Sequence, residues 1–66
     1  MDYKQMNRVY KGQKVICIKD HCEFKQGDIG TIHFDYYGEG FYYKRIQLDD
    51  GRYENLDTWY KYWDEV

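Results

Sequence analysis

The sequence predicts an all-β domain, a five-stranded small barrel with a 3-10 turn before its last strand. Three observations carry this. Short runs rich in Val, Ile, Phe and Tyr recur along the chain, and turn signals centred on glycine separate them about every ten residues. The chain has no alanine, the best helix former, and no proline or serine. With 66 residues it holds one domain, residues 1–66, of which 1–13 form a lead-in.

The lead-in is polar, with Met6, Val9 and Tyr10 scattered through it, and fits a short helical turn or an extended segment. Residues 14–19 form the first strand. Val15, Ile16, Cys17 and Ile18 make it apolar on both faces, as for a strand covered on both sides. Residues 20–26 form a polar loop. Residues 28–36 form the second strand, with Gly30, Ile32 and Phe34 directed inward and Thr31 and His33 outward. Residues 37–40 turn the chain. In the third strand, 41–48, Ile46 and Leu48 set the inner face, which Tyr42 and Lys44 share. Asp50-Gly51 signals a tight hairpin with a primed turn and positive φ at Gly51. A short fourth strand, 52–55, leads to a 3-10 turn at 56–59. The last strand, 60–66, carries Trp63.

A domain this small buries only about 60% of its unfolded surface. Large rings compensate, each covering roughly 150–250 Å². Nine Tyr, three Phe and two Trp are more rings than such a core can enclose, so some tyrosines lie outside. Net charge is −2 and uneven. Residues 1–33 carry six Lys/Arg against four Asp/Glu (+2), and residues 34–66 carry four against eight (−4). Non-specific binding to duplex phosphates would need a stronger basic excess. The first residues lack the apolar stretch of a secretory signal, and no run is long enough to cross a bilayer. A cytoplasmic location with reduced thiols at Cys17 and Cys22 is expected.

The residue types for site chemistry are sparse. Cys17, His21, Cys22 and His33 are metal-ligand types, but no C-x-x-C pair exists and the spacing fails zinc patterns. No metal or other cofactor is expected. Serine is absent. A Cys22 nucleophile beside His21 or His33 would lack a third orienting group, and a barrel this small encloses no substrate pocket. The chain is therefore not expected to be an enzyme. Tyrosine is the strongest functional signal, because it offers large contact area at low entropic cost. The acidic residues Asp35, Glu39, Asp49, Asp50, Glu54, Asp57, Asp64 and Glu65 form either a solvated surface or part of a docking face. Lysines and arginines among aromatics, here Lys19, Lys25, Lys44 and Arg45, suit the alternative of a single-stranded nucleic acid.

The strand–loop–strand unit resembles a known pattern. Gly12, Val15, Ile18, Lys25, Gly27, Gly30 and Ile32 are spaced as in the KOW motif of ribosomal and transcription-elongation proteins, and the whole chain resembles the SH3-like barrel superfamily. Residues 48–52 match the distal hairpin of such barrels and 56–59 their 3-10 turn. The resemblance implies that the loop after strand two and the 3-10 turn border one groove, which makes Tyr36, Tyr37, Trp59 and Tyr60 neighbours. With Tyr43 and Asp57 they form the expected partner-binding set. The KOW likeness implies RNA or single-stranded DNA binding instead. The loop carries Asp20 and Glu23 beside its lysines and departs from the basic KOW loop. In style the chain also resembles short accessory proteins of bacteriophages and mobile elements that bind or inhibit a host protein. The preferred expectation is a protein-binding module, because an acidic chain meets repulsion from phosphates.

Overall fold

A computed structural model describes all 66 residues. The order is α1 (Tyr3–Arg8), β1 (Lys14–Cys17), β2 (Ile29–Gly38), β3 (Phe41–Leu48), β4 (Tyr53–Asn55), α2 (Leu56–Trp59), a 3-10 turn (Tyr60–Tyr62) and β5 (Trp63–Glu65). The expected five-stranded all-β architecture is present. All pairings are antiparallel, in the order β4-β3-β2-β1-β5. The sheet curls into a half-barrel. No backbone ladder joins β4 to β5; the Trp63 indole N–H instead donates to Glu54 Oε2 at 2.6 Å.

Alternation along β2 and β3 builds the core. Gly30 and Ile32 on β2 face Ile46 and Leu48 on β3, and Val15, Cys17, Leu56 and Trp63 complete the interior. Gly30 leaves room for core side chains of β3. A Cβ there would strike the side chains of Ile46 and Leu48.

The lead-in folds as α1. Asp2 caps it, its Oδ1 accepting from Gln5 N at 2.8 Å while Gln5 Oε1 accepts from Asp2 N at 2.9 Å. This reciprocal pair satisfies two amides that the first helical turn leaves free. Met6 and Val9 carry the segment into the core.

Four boundaries differ from the sequence expectation. β1 ends at Cys17, and Ile18 lies 42% exposed, so the first strand is covered fully on one face only. β2 runs on to Gly38 through a bulge at Tyr37. Residues 56–59 are α-helical because the Asn55 side chain caps the Asp57 N–H at 2.8 Å; the 3-10 turn follows at Tyr60–Tyr62 and shortens the last strand.

The β3–β4 loop is also of another class. Leu48 N donates to Arg52 O and Gly51 N to Leu48 O, enclosing three residues. Only Gly51 has positive φ, at 95°, so this is a type I turn with a glycine bulge. Arg52 locks it, its backbone N–H and guanidinium both donating to Asp50 and holding that carboxyl below the usual range. A Gly51→Val variant should lose about 1–2 kcal/mol, because a side chain disfavours the left-handed region. A urea midpoint equal to that of the parent chain would contradict this assignment.

Candidate functional site

The β2–β3 hairpin outruns its neighbours. β1 reaches only Thr31 of β2, and β4 reaches only Arg45 of β3. Beyond those points the hairpin is two strands wide, and residues 36–42 at its end are exposed. Residues 34–43 hold six aromatic side chains, two carboxylates and no basic residue.

The rings form one group on each face. On the inner side, continuing the core, Phe34 lies 4.9 Å from Tyr42 between ring centroids, and Tyr36 lies 5.4 Å from Tyr42. Lys44 Nζ stands 5.3 Å over the Tyr42 ring. On the outer side Tyr37 pairs with Phe41 at 6.2 Å and with Tyr43 at 6.1 Å. Tyr36, Tyr37 and Phe41 are 70%, 69% and 62% exposed. The bulge makes Tyr37 an extra residue between the pairs Tyr36↔Tyr42 and Gly38↔Phe41. It twists the hairpin end and re-aims the side chains there.

Charge on the hairpin is compensated at its base. Asp35 pairs with Arg45 at 3.3 Å. The Asp35 carboxylate beside the Tyr43 phenol raises its pKa above the ordinary phenol value. A group raised in the folded state contributes stability in full below its unfolded pKa, about 10, and loses it as pH climbs through the raised value. Asp35→Asn should therefore return the Tyr43 ring resonances to an ordinary phenol titration; an unchanged midpoint would exclude the Asp35 carboxylate as the cause.

The partner-binding set splits in two. Tyr36, Tyr37 and Tyr43 lie on the hairpin, whereas Trp59 and Tyr60 belong to a separate aromatic assembly and are not their neighbours. Trp59 packs on His21 at 5.3 Å and Tyr62 at 5.4 Å, and Tyr60 meets Tyr3 edge-on at 5.9 Å. Asp57 caps the exposed edge of β3, accepting from Lys44 N at 2.8 Å and facing Lys44 Nζ at 3.7 Å. The short α2 placed after β4 causes this separation: it turns Trp59 back over the 21–24 loop.

The nucleic-acid set is dispersed. Lys19 lies over Tyr62 at 5.7 Å and Lys25 is exposed on the loop. Lys44 is only 8% exposed, and Arg45 is engaged by Asp35. Cys17 is buried, where desolvation raises its thiol pKa, while Cys22 is exposed.

Sequence reasoning missed one cluster. His21 Nδ1 lies 2.8 Å from the Lys19 carbonyl, which can only accept, so Nδ1 carries a proton. Nε2 lies 2.5 Å from Glu54 Oε2, which also receives the Trp63 indole. Glu54, expected among the solvated acids, is 8% exposed. Phe24, Trp59, Tyr62 and Trp63 surround the imidazole. The network fastens loop, β4 and β5 where the sheet does not close. The inward phase of Glu54 on β4 was the one readable signal.

Compared with protein-family models, with curated proteins and with solved structures, the chain matches none.

Proposed function

We propose that the protein is a non-enzymatic binding module that docks a partner protein through the aromatic and acidic end of the β2–β3 hairpin. One observation carries this reading: a hairpin that outruns both neighbouring strands exposes Tyr36, Tyr37 and Phe41 around a bulge. Large exposed rings are costly to keep in water, and tyrosine is enriched in interface hot spots. Trp59, Tyr60 and Asp57 are left out of the docking surface, because the first two pack against the domain itself and the third caps β3. The nucleic-acid alternative draws less support, since two of its four cations face carboxylates.

The test is capture of a partner from bacterial lysate after nuclease treatment, with Tyr37→Ala beside Lys25→Ala. Tyr37→Ala should weaken capture by about 2 kcal/mol, near 30-fold, without lowering the melting temperature, and Lys25→Ala should leave it unchanged. Tight, salt-sensitive binding of a fluorescent single-stranded oligonucleotide, lost in Lys25→Ala, would favour the alternative.

A further inference from the structure

The free edge of β2 at the hairpin end is open in a specific way. Ile32 directs its backbone away from β3: its N–H donates to the Gln13 carbonyl at 2.9 Å and its carbonyl accepts from Gly12 N at 2.8 Å. By the two-residue alternation of a strand, Phe34 and Tyr36 direct their N–H and C=O groups the same way. No strand pairs with them there. The chain that could have continued β1 leaves that lane. Gly12 has φ 91°, and a turn from Gln13 N to Tyr10 O carries Arg8 and Tyr10 toward Glu65 and Val66 at the opposite edge. An empty lane beside Phe34–Tyr36 extends the path of β1.

The matching edge on β3 is closed. Asp57 accepts the outward N–H of Lys44 at 2.8 Å. At the hairpin end, the β2 edge keeps two outward-facing residues, Phe34 and Tyr36, uncapped beside exposed rings.

From these features we infer that the hairpin binds its partner by strand addition: an extended, arginine-bearing segment of another protein pairs with β2 at Phe34–Tyr36. The inference rests on the docking reading above and names its partner class. Charge selects the occupant. Residues 34–43 contribute Asp35 and Glu39 and no cation, and Glu39 has no ion pair in the molecule. The molecule already places cations over its rings at three places: Lys19 over Tyr62, Lys44 over Tyr42 and Arg52 over Phe24. On an added strand, alternate side chains would lie beside Asp35 and Tyr37 on the outer face, where a guanidinium can stack on the ring and share the Asp35 carboxylate with Arg45. The intervening side chains would lie beside Phe34 and Tyr36 on the inner face. A second copy of this chain fits less well, because it would bring the same two carboxylates against themselves. Main-chain pairing supplies affinity in this mode, and the alternating side chains supply selectivity.

The experiment uses the whole isotopically labelled chain and three capped hexapeptides. One alternates arginine and valine. The second has proline in place of its two central residues, which removes the two ladder donors there. The third alternates glutamate and valine. At saturation the arginine peptide should slow exchange of the Phe34 and Tyr36 amides by about tenfold or more, a change of 1.4 kcal/mol. The proline peptide should bind at least about tenfold more weakly, and the glutamate peptide should leave the amides unchanged. Equal binding of the proline peptide, shifts confined to α2 or the β4 and β5 edges, or no response to the arginine peptide would each overturn strand addition. If Tyr37→Ala abolishes partner capture while the Phe34 and Tyr36 amides stay unprotected in the captured complex, the docking surface stands and strand addition falls. If the amides are protected by the arginine peptide but Tyr37→Ala leaves capture intact, the docking reading fails instead.

Discussion

Glu54→Ala should be the most destabilising single substitution in this domain, at about 3–5 kcal/mol. Its carboxylate receives the His21 imidazole at 2.5 Å and the Trp63 indole at 2.6 Å, in a site where the His21 and Glu54 side chains are nearly dry. Truncation strands the buried Trp63 indole N–H and removes the partner of His21 Nε2, and each orphaned group costs about 1–3 kcal/mol. Natural domains hold only about 5–15 kcal/mol in total, so the variant should be largely unfolded at modest urea. Glu54→Gln keeps an oxygen acceptor for Trp63 and loses the charge facing His21; it should fall between the parent and the alanine variant. His21→Ala in the Glu54→Ala background should add little, because the partner is already gone. Equilibrium urea unfolding of the parent, Glu54→Ala, His21→Ala and their double variant gives the coupling. A Glu54→Ala loss below about 1 kcal/mol would show that water satisfies the groups left behind and that the network does not fasten the open side of the sheet.

Gly30→Val should rank second. Any Cβ at this position meets Ile46 and Leu48 side chains held in the core. Overpacking of this kind costs about 1–3 kcal/mol for a small addition, and valine adds more than alanine. Gly38→Ala is the control: its Cβ would sit 3.5 Å from Phe41, an ordinary contact, and should change stability by no more than about 0.5 kcal/mol. Ile46→Ala should partly rescue Gly30→Ala, so that the double variant loses less than the two singles together. Simple additivity in thermal or urea unfolding would place the clash elsewhere.

Much of the fold was legible in the residues. β3 spans the expected 41–48, and Ile46 and Leu48 face inward because two apolar side chains at even spacing fix the phase of a strand. Gly51 announced its turn through its φ, though not the turn's class, because one or two residues of difference in loop length are invisible until Leu48 and Arg52 are paired. The helix at the start was readable in principle: Asp2 and Gln5 have capping-box spacing, and Met6 and Val9 lie on one side. Lys4, Gln5, Met6 and Arg8 favour helix, but six residues are too few to nucleate one alone, and packing on the core makes up the difference.

The candidate site was legible only in part. Sequence indicated that tyrosines had to lie outside and that 34–43 was rich in them. It could not separate Tyr36, Tyr37 and Tyr43 from Trp59 and Tyr60, because the length and direction of α2 decide which rings meet. Nor could it find the His21–Glu54 contact, which joins residues 33 positions apart.

By itself, the sequence determined the strand periodicity, the turn positions, the acidic second half and the surplus of rings over core volume. These follow from local spacing and composition. Tertiary structure alone decided that the sheet stops at a half-barrel fastened by Glu54 and Trp63, that Asp57 seals one strand edge, and that the β2 edge at Phe34–Tyr36 stays open. Hydrogen bonds across the chain are made only where strand ends, caps and a bulge bring distant groups within 3 Å of one another, and no one-dimensional pattern encodes that distance.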